Sequence, residues 1–67
     1  MKGIAFYYTE FQRQFDISDA SMGAAFKAFS LNHSPWEVFL WLEKFRTEGK
    51  LPTTMEPLLT NFFWEIY

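Results

Sequence analysis

The sequence predicts an all-α fold: a compact domain of four helices joined by short connections, with the third helix, about residues 35–48, at its centre. Three observations carry this expectation. Large apolar residues recur at helical spacing along most of the chain, polar helix-start signals stand at Ser18–Asp19, Ser34 and Thr53, and the stretches between are only a few residues long.

Ile4, Tyr8, Phe11 and Phe15 fall at i, i+4, i+7 and i+11, one face of a first helix over about residues 4–15. Because Ile, Phe and Tyr also favour extended backbone, a strand over Gly3–Thr9 is the competing reading. Phe6 points about 200° away from Ile4, counting roughly 100° per residue, and so lies off the stripe. Asp16, Ser18 and Asp19 break the pattern and supply capping oxygens, which ends the first helix near Phe15 and starts a second at Ser18 or Asp19. That second helix, about residues 19–30, puts Met22, Ala25, Phe26 and Phe29 on one face. Ala20, Ala24 and Ala28 lie on another, where small side chains would let a neighbouring helix come close. Gly23 weakens the helix by up to about 1 kcal/mol relative to alanine, which close packing would explain.

Ser34-Pro35-Trp36-Glu37 is the strongest local signal in the chain: a serine N-cap, proline at the first helical position, and a glutamate placed to complete a capping box. The third helix should run from Pro35 to about Glu48, with Gly49 as its stop. Val38, Phe39, Trp41, Leu42 and Phe45 cover an arc of about 160°, wide enough to face two neighbours. Trp36 and Leu40 stand apart from that arc, one turn from each other. Leu51 is held extended by Pro52, after which Thr53 and Glu56 form a second candidate capping box with Pro57 close enough to the start to be tolerated. The fourth helix, about residues 54–66, then buries Met55, Leu58, Leu59, Phe62, Phe63 and Ile66 and leaves Trp64 on the opposite side.

With 67 residues the chain makes one domain, residues 1–67. Folding at this size buries only about 60% of the surface of the unfolded chain. There is no cysteine to form a disulfide or a thiolate site, and the single histidine, His33, has no acidic or thiol partner at ligand or triad spacing; it is left a surface or capping role. Cohesion must come from dense helix packing or from oligomerisation. Fifteen side chains are aromatic, and with Leu, Ile, Val and Met the large apolar side chains number 28. So thin a globule cannot cover all of them, so some are expected on a partner or subunit surface; the plainer alternative is a core whose members are each partly exposed.

The net charge of −2, spread along the chain, disfavours non-specific nucleic-acid binding and is too mild for a DNA mimic. The longest unbroken apolar run, Val38–Leu42, is far short of the roughly 20 residues that span a bilayer, and Met1-Lys2-Gly3 leads into no signal-peptide core. A cytoplasmic protein is the expectation. No Gly-rich phosphate loop is present, Ser18, Ser21, Ser30 and Ser34 have no base nearby, and Glu37 and Glu43 point about 120° apart on their helix. The sequence therefore predicts no catalytic, cofactor-binding or metal-binding residue, no small-molecule substrate, and no enzyme.

Trp36, Leu40, Trp64 and Phe6 are left over once the core is assigned, and they are the candidate partner-binding residues, Trp being a common interface anchor. The expected function is a protein-interaction module, binding a protein partner or itself as a homodimer. Short chains of this kind are often regulators, inhibitors or assembly factors, including those of phages and plasmids; that expectation comes from size and from no residue. The alternative is a helix-turn-helix DNA-binding regulator, since the second helix, a short turn and the capped third helix follow the order of that motif. Against it, the first turns of the third helix offer Trp36, Glu37, Phe39 and Leu40, with no Arg, Lys, Asn or Gln to read base edges. Gel-shift titration at low salt is expected to show no retardation of duplex DNA at micromolar protein, and a discrete shifted band would restore the DNA reading.

Overall fold

The computed structural model describes residues 2–66, and the side chain of Ile66 lies outside that description. Four helices follow in order: α1 (Ile4–Ser18), α2 (Ala20–Asn32), α3 (Pro35–Thr47) and α4 (Glu56–Ile66), with a 3₁₀ turn at Thr53–Met55 leading into α4. The chain is thus an all-α four-helix domain. Residues 4–9 belong to α1, and no strand occurs among the described residues.

The connection between α1 and α2 is a single residue. Asp19 is extended, its N–H donates to the Phe15 carbonyl at 2.7 Å to close α1, and its side chain accepts from the Met22 N–H at 3.1 Å to open α2. Because Asp19 performs both tasks, Asp16, Ile17 and Ser18 remain helical, and α1 continues past the expected end at Phe15. α2 likewise runs past residue 30 to Asn32. His33 closes it: Nδ1 donates to the Phe29 carbonyl at 3.0 Å, and the imidazole stacks on the Phe29 ring at 3.7 Å.

α3 begins as the sequence requires. The Ser34 N–H donates to Glu37 Oε1 at 3.0 Å while the Glu37 N–H donates to Ser34 Oγ, completing the capping box. The Ser34 N–H, and after it the Ser34 hydroxyl donating to the same Oε1, hold the Glu37 carboxyl below its ordinary pKa. At the other end Gly49 takes φ of 74°, so its N–H reaches the Arg46 carbonyl and the Lys50 N–H reaches the Phe45 carbonyl. This is a Schellman stop, which needs a left-handed residue and so favours glycine.

The start of the last helix departs from expectation. No side-chain bond caps the Thr53–Met55 turn, so the second capping box does not form, and regular α-helix begins only at Glu56. The reason is Pro57, which has no N–H to offer the Thr53 carbonyl four residues back. The Glu56 N–H takes that carbonyl instead, three residues back, and the turn tightens to 3₁₀ geometry.

The core is largely aromatic. Phe39 on α3 stacks against Phe62 of α4 at 3.6 Å and meets Tyr8 and Phe11 of α1, both at 5.6 Å. With Trp41 stacked on Phe29 of α2 at 4.7 Å, α3 touches every other helix. So does α1, through Phe15–Phe26, Tyr8–Phe39 and Tyr7–Phe62, and the centre is shared between the two helices. Val38, Leu42, Leu51, Met55 and Leu59 fill the remaining interior, while Phe29, Trp41 and Phe45, expected inside, form a half-buried row at its rim.

Two packing expectations need correction. Ala20, Ala24 and Ala28 face solvent, and the close helix approach is made at Gly23, where an added Cβ would stand 3.1 Å from Phe15 Cβ. On α1 the most buried tyrosine is Tyr7 and not Tyr8, because α4 covers the flank of α1 on which Tyr7 lies.

Tyr7 also ties the start of α1 to the end of α4. Its ring is buried and its hydroxyl donates to Glu65 Oε2 at 2.6 Å, an oxygen that also accepts from the Lys2 N–H at 3.4 Å. Burial first, then the bond to Glu65 and its charge, push the Tyr7 hydroxyl up to about 12. The bond from Tyr7 in turn holds the Glu65 carboxyl below its ordinary value. A depressed carboxyl stabilises the fold above its unfolded pKa and loses that contribution as pH falls through the folded value; a raised phenol stabilises below its unfolded pKa and loses the contribution as pH rises toward the folded one. Tyr7→Phe should therefore lower stability most between about pH 5.5 and 9.5, with the gap from wild type narrowing on both sides. Urea unfolding across a pH series measures this, and a gap independent of pH would remove the Tyr7–Glu65 bond as its source.

Candidate protein-interaction surface

All four leftover residues of the sequence lie at the surface. Trp64 is 79% exposed, Leu40 45%, Trp36 39% and Phe6 36%. The structure brings three of them to one side of the molecule. Along the α3–α4 seam Trp36 meets Phe63, and Arg46 meets Thr60 further along α3. Trp36 and Leu40 line the α3 edge of this seam, and Trp64 projects from α4 next to Phe63.

Phe6 is not part of it. Its ring lies edge-on to Tyr7 at 5.3 Å, with the Lys2 ammonium 4.8 Å above its face, on α1. Both groups that it meets stand near the start of α1, and neither is on α3 or α4.

Helical geometry explains why the seam has this composition. On α4 the core residues Met55, Leu59 and Phe62 define the inward direction. At about 100° per residue, Phe63 and Thr60 follow on the flank toward α3 and Trp64 comes next, pointing outward. On α3 the corresponding flank carries Phe39, Glu43 and Arg46, with Trp36 and Leu40 beyond. The polar end of the seam is tied: Arg46 Nη1 donates to Thr60 Oγ1 at 2.7 Å, and Nη2 forms an ion pair with Glu43 Oε2. That carboxylate oxygen is shielded from solvent and accepts no hydrogen bond, so its environment rests on the charge of Arg46.

Between the tied end and Trp64 lies a cavity of about 230 Å³ lined by Arg46, Thr60, Phe63 and Trp64. A shallower depression of about 650 Å³, reaching Thr53, Glu56, Pro57 and Asn61, shares Arg46 and Thr60 with it and prolongs the groove. A third groove, about 520 Å³, runs between α1 and α2 past Gln12, Arg13 and Asp16. Its polar groups are engaged locally, Gln12 with Asp16 and Arg13 with Glu10, which leaves them poorly placed to select a ligand.

Phe63, Thr60 and Arg46 were not among the sequence candidates. Phe63 is expected inside by its spacing and is only half-buried, its ring perpendicular to that of Trp36. Arg46 and Thr60 are joined across two helices, a pairing that no local pattern announces. Among the described residues, no group of three or more His, Asp or Glu side chains is placed to hold a metal, and no helix is long and apolar enough to cross a membrane.

Comparison with protein-family models, curated proteins and solved structures finds no match to this chain. The surface must therefore be read from its own chemistry. Trp64→Ala is expected to change the unfolding free energy by no more than about 0.5 kcal/mol, as for an exposed side chain. Arg46→Ala strips Glu43 Oε2 of its counter-charge and should cost about 1–2 kcal/mol. Parallel urea titrations check the contrast; equal losses would make Trp64 a structural residue.

Proposed function

We propose that the protein is a non-enzymatic protein-interaction module that presents the α3–α4 face to another polypeptide, with Trp64 as its anchor. The observation that supports this reading is the pairing of a tryptophan left 79% exposed with an apolar recess at its foot. Tryptophan buries a large area at low entropy cost and is the residue type most enriched where binding energy concentrates. Trp36, Leu40 and Phe63 extend the apolar contact, and Arg46 supplies a fixed donor at the edge. A domain of this kind acts by covering a partner's surface, as regulators, inhibitors and assembly factors do.

The exposed residues in the first turns of α3 are Trp36, Glu37 and Leu40. They offer nothing that pairs with base edges, and no observation favours the DNA alternative.

Affinity capture from the native host with immobilised wild type and Trp64→Ala tests the reading. Wild type should retain a protein in near-stoichiometric amount, either a foreign chain or its own soluble copy, and the variant should not. Equal retention by both, or by neither, would sink it.

A further inference from the structure

We propose that the hydroxyl of Tyr7 and the carboxylate of Glu65 form a latch that positions Trp64, so that the start of α1 controls the order of the α3–α4 face. The inference rests on the reading of that face as an interaction surface and names what holds its anchor in place.

Trp64 has little of its own to hold it. Its indole is 79% exposed, and among the described residues no ring contact or hydrogen bond fixes it. Its place as a wall of the cavity therefore follows from the backbone of α4. Ring contacts fix that backbone as far as Phe63: Phe62 packs on Phe39 and Tyr7, and Phe63 meets Trp36. Trp64 and Glu65 come after those rings, in the last turn of the helix. Such turns fray, because the last carbonyls have no partner further along the helix.

Glu65 is the residue that ties this turn down. Among the described residues, two side-chain hydrogen bonds reach it from outside α4, from the Tyr7 hydroxyl at 2.6 Å and the Lys2 N–H at 3.4 Å, both to Oε2. The Tyr7 ring belongs to the core, so the donor of the shorter bond is a fixed point, and a bond to a carboxylate is stronger than one between neutral groups. Local preference argues against a glutamate here. The carbonyl end of a helix carries partial negative charge and disfavours a carboxylate, and alanine is the better helix former. A carboxylate that stands against these preferences, and is held by a buried ring 58 positions away in the chain, is placed for the tertiary bond.

The coupling to the face follows from helix geometry. In an α-helix the Trp64 N–H bonds to the Thr60 carbonyl four residues back, and both residues line the cavity. Opening of the last turn breaks that bond and carries the indole away from Arg46, Thr60 and Phe63. Tyr7 and Glu65 line neither depression of the α3–α4 face, so they act on it only through Trp64 and are positioning residues.

Amide hydrogen exchange of the pure protein at neutral pH, corrected for intrinsic rates and read with the heteronuclear NOE of the Trp64 indole N–H, is the test. In Tyr7→Phe, which keeps the buried ring, the Trp64 and Glu65 amides should exchange about three- to tenfold faster, as loss of one hydrogen bond predicts. The indole NOE should fall with them. Glu65→Ala decides the sign: without a latch it removes a charge opposed to the helix dipole, inserts the best helix former and slows exchange in the last turn, whereas with a latch it speeds it. Glu65→Gln keeps an acceptor and should lie between Glu65→Ala and wild type. Last-turn amides that hold their wild-type rates in Tyr7→Phe while α3 amides lose protection, slower exchange in Glu65→Ala, or an indole NOE unchanged in both variants would each overturn the proposal. The measurement needs no partner, so its failure would leave the interaction reading to the capture experiment, and failure of the capture would leave the latch as a property of the single chain.

Discussion

Packing of Phe39 is the contact on which the rest of the structure depends. The ring lies flat on Phe62, 3.6 Å away, and touches Tyr8 and Phe11, so one side chain joins α3 to α1 and α4 at once. Domains of this length have net stabilities of about 3–10 kcal/mol, and a buried phenylalanine accounts for about 3–5 of them when truncated. With no cysteine in the sequence, cohesion falls to such rings and to the aliphatic residues between them. Rings suit the task because each fills a large, rigid volume and has edge and face directions that fix how its neighbours sit.

This aromatic interior controls the surface as well. With Phe62 committed to Phe39 and Tyr7, the orientation of α4 about its own axis is set, and Phe63 and Trp64 have to fall on the side toward α3 and on the outside. The seam is then fastened at two points of different character, Trp36 on Phe63 and Arg46 on Thr60, with the cavity beside them. The candidate site is therefore a consequence of core packing one residue earlier in the same helix. Its supporting atoms belong to rigid helices, which is what a preformed contact surface requires.

Features that depend on neighbours along the chain are legible in the sequence. The Ser34–Glu37 box, the Gly49 stop and the polar break near Asp19 all stand where the residues announce them. The Thr53–Glu56 box fails because a missing N–H at Pro57 outweighs a favourable side-chain pattern. Which flank of a helix is covered is not legible, since periodicity gives an inward direction but not the neighbours on either side. Hence periodicity favours Tyr8 where Tyr7 is the buried ring, and it gives the alanines of α2 a neighbour they lack while Gly23 takes the close approach. The exposure of Trp36, Leu40, Trp64 and Phe6 follows from angles alone. That three share a seam and Phe6 does not is beyond such angles, because it depends on how α1, α3 and α4 are arranged in space.

Exposure by itself does not distinguish a binding residue on so small a protein. Ile17 and Leu31 are nearly as exposed as Trp64, yet one precedes α2 and the other lies near its end, single side chains in the ordinary condition of much apolar surface. Trp64 differs in its surroundings: an adjacent recess, a guanidinium already immobilised, and the Phe63 ring, itself packed on Trp36. Burying Ile17 or Leu31 against a partner would remove apolar area from water and little else. Burying Trp64 against a partner would also exclude water from a fixed cation and a ring, where electrostatic contacts strengthen as the surroundings lose polarity. That combination, and not apolar area alone, is what favours the α3–α4 face for binding.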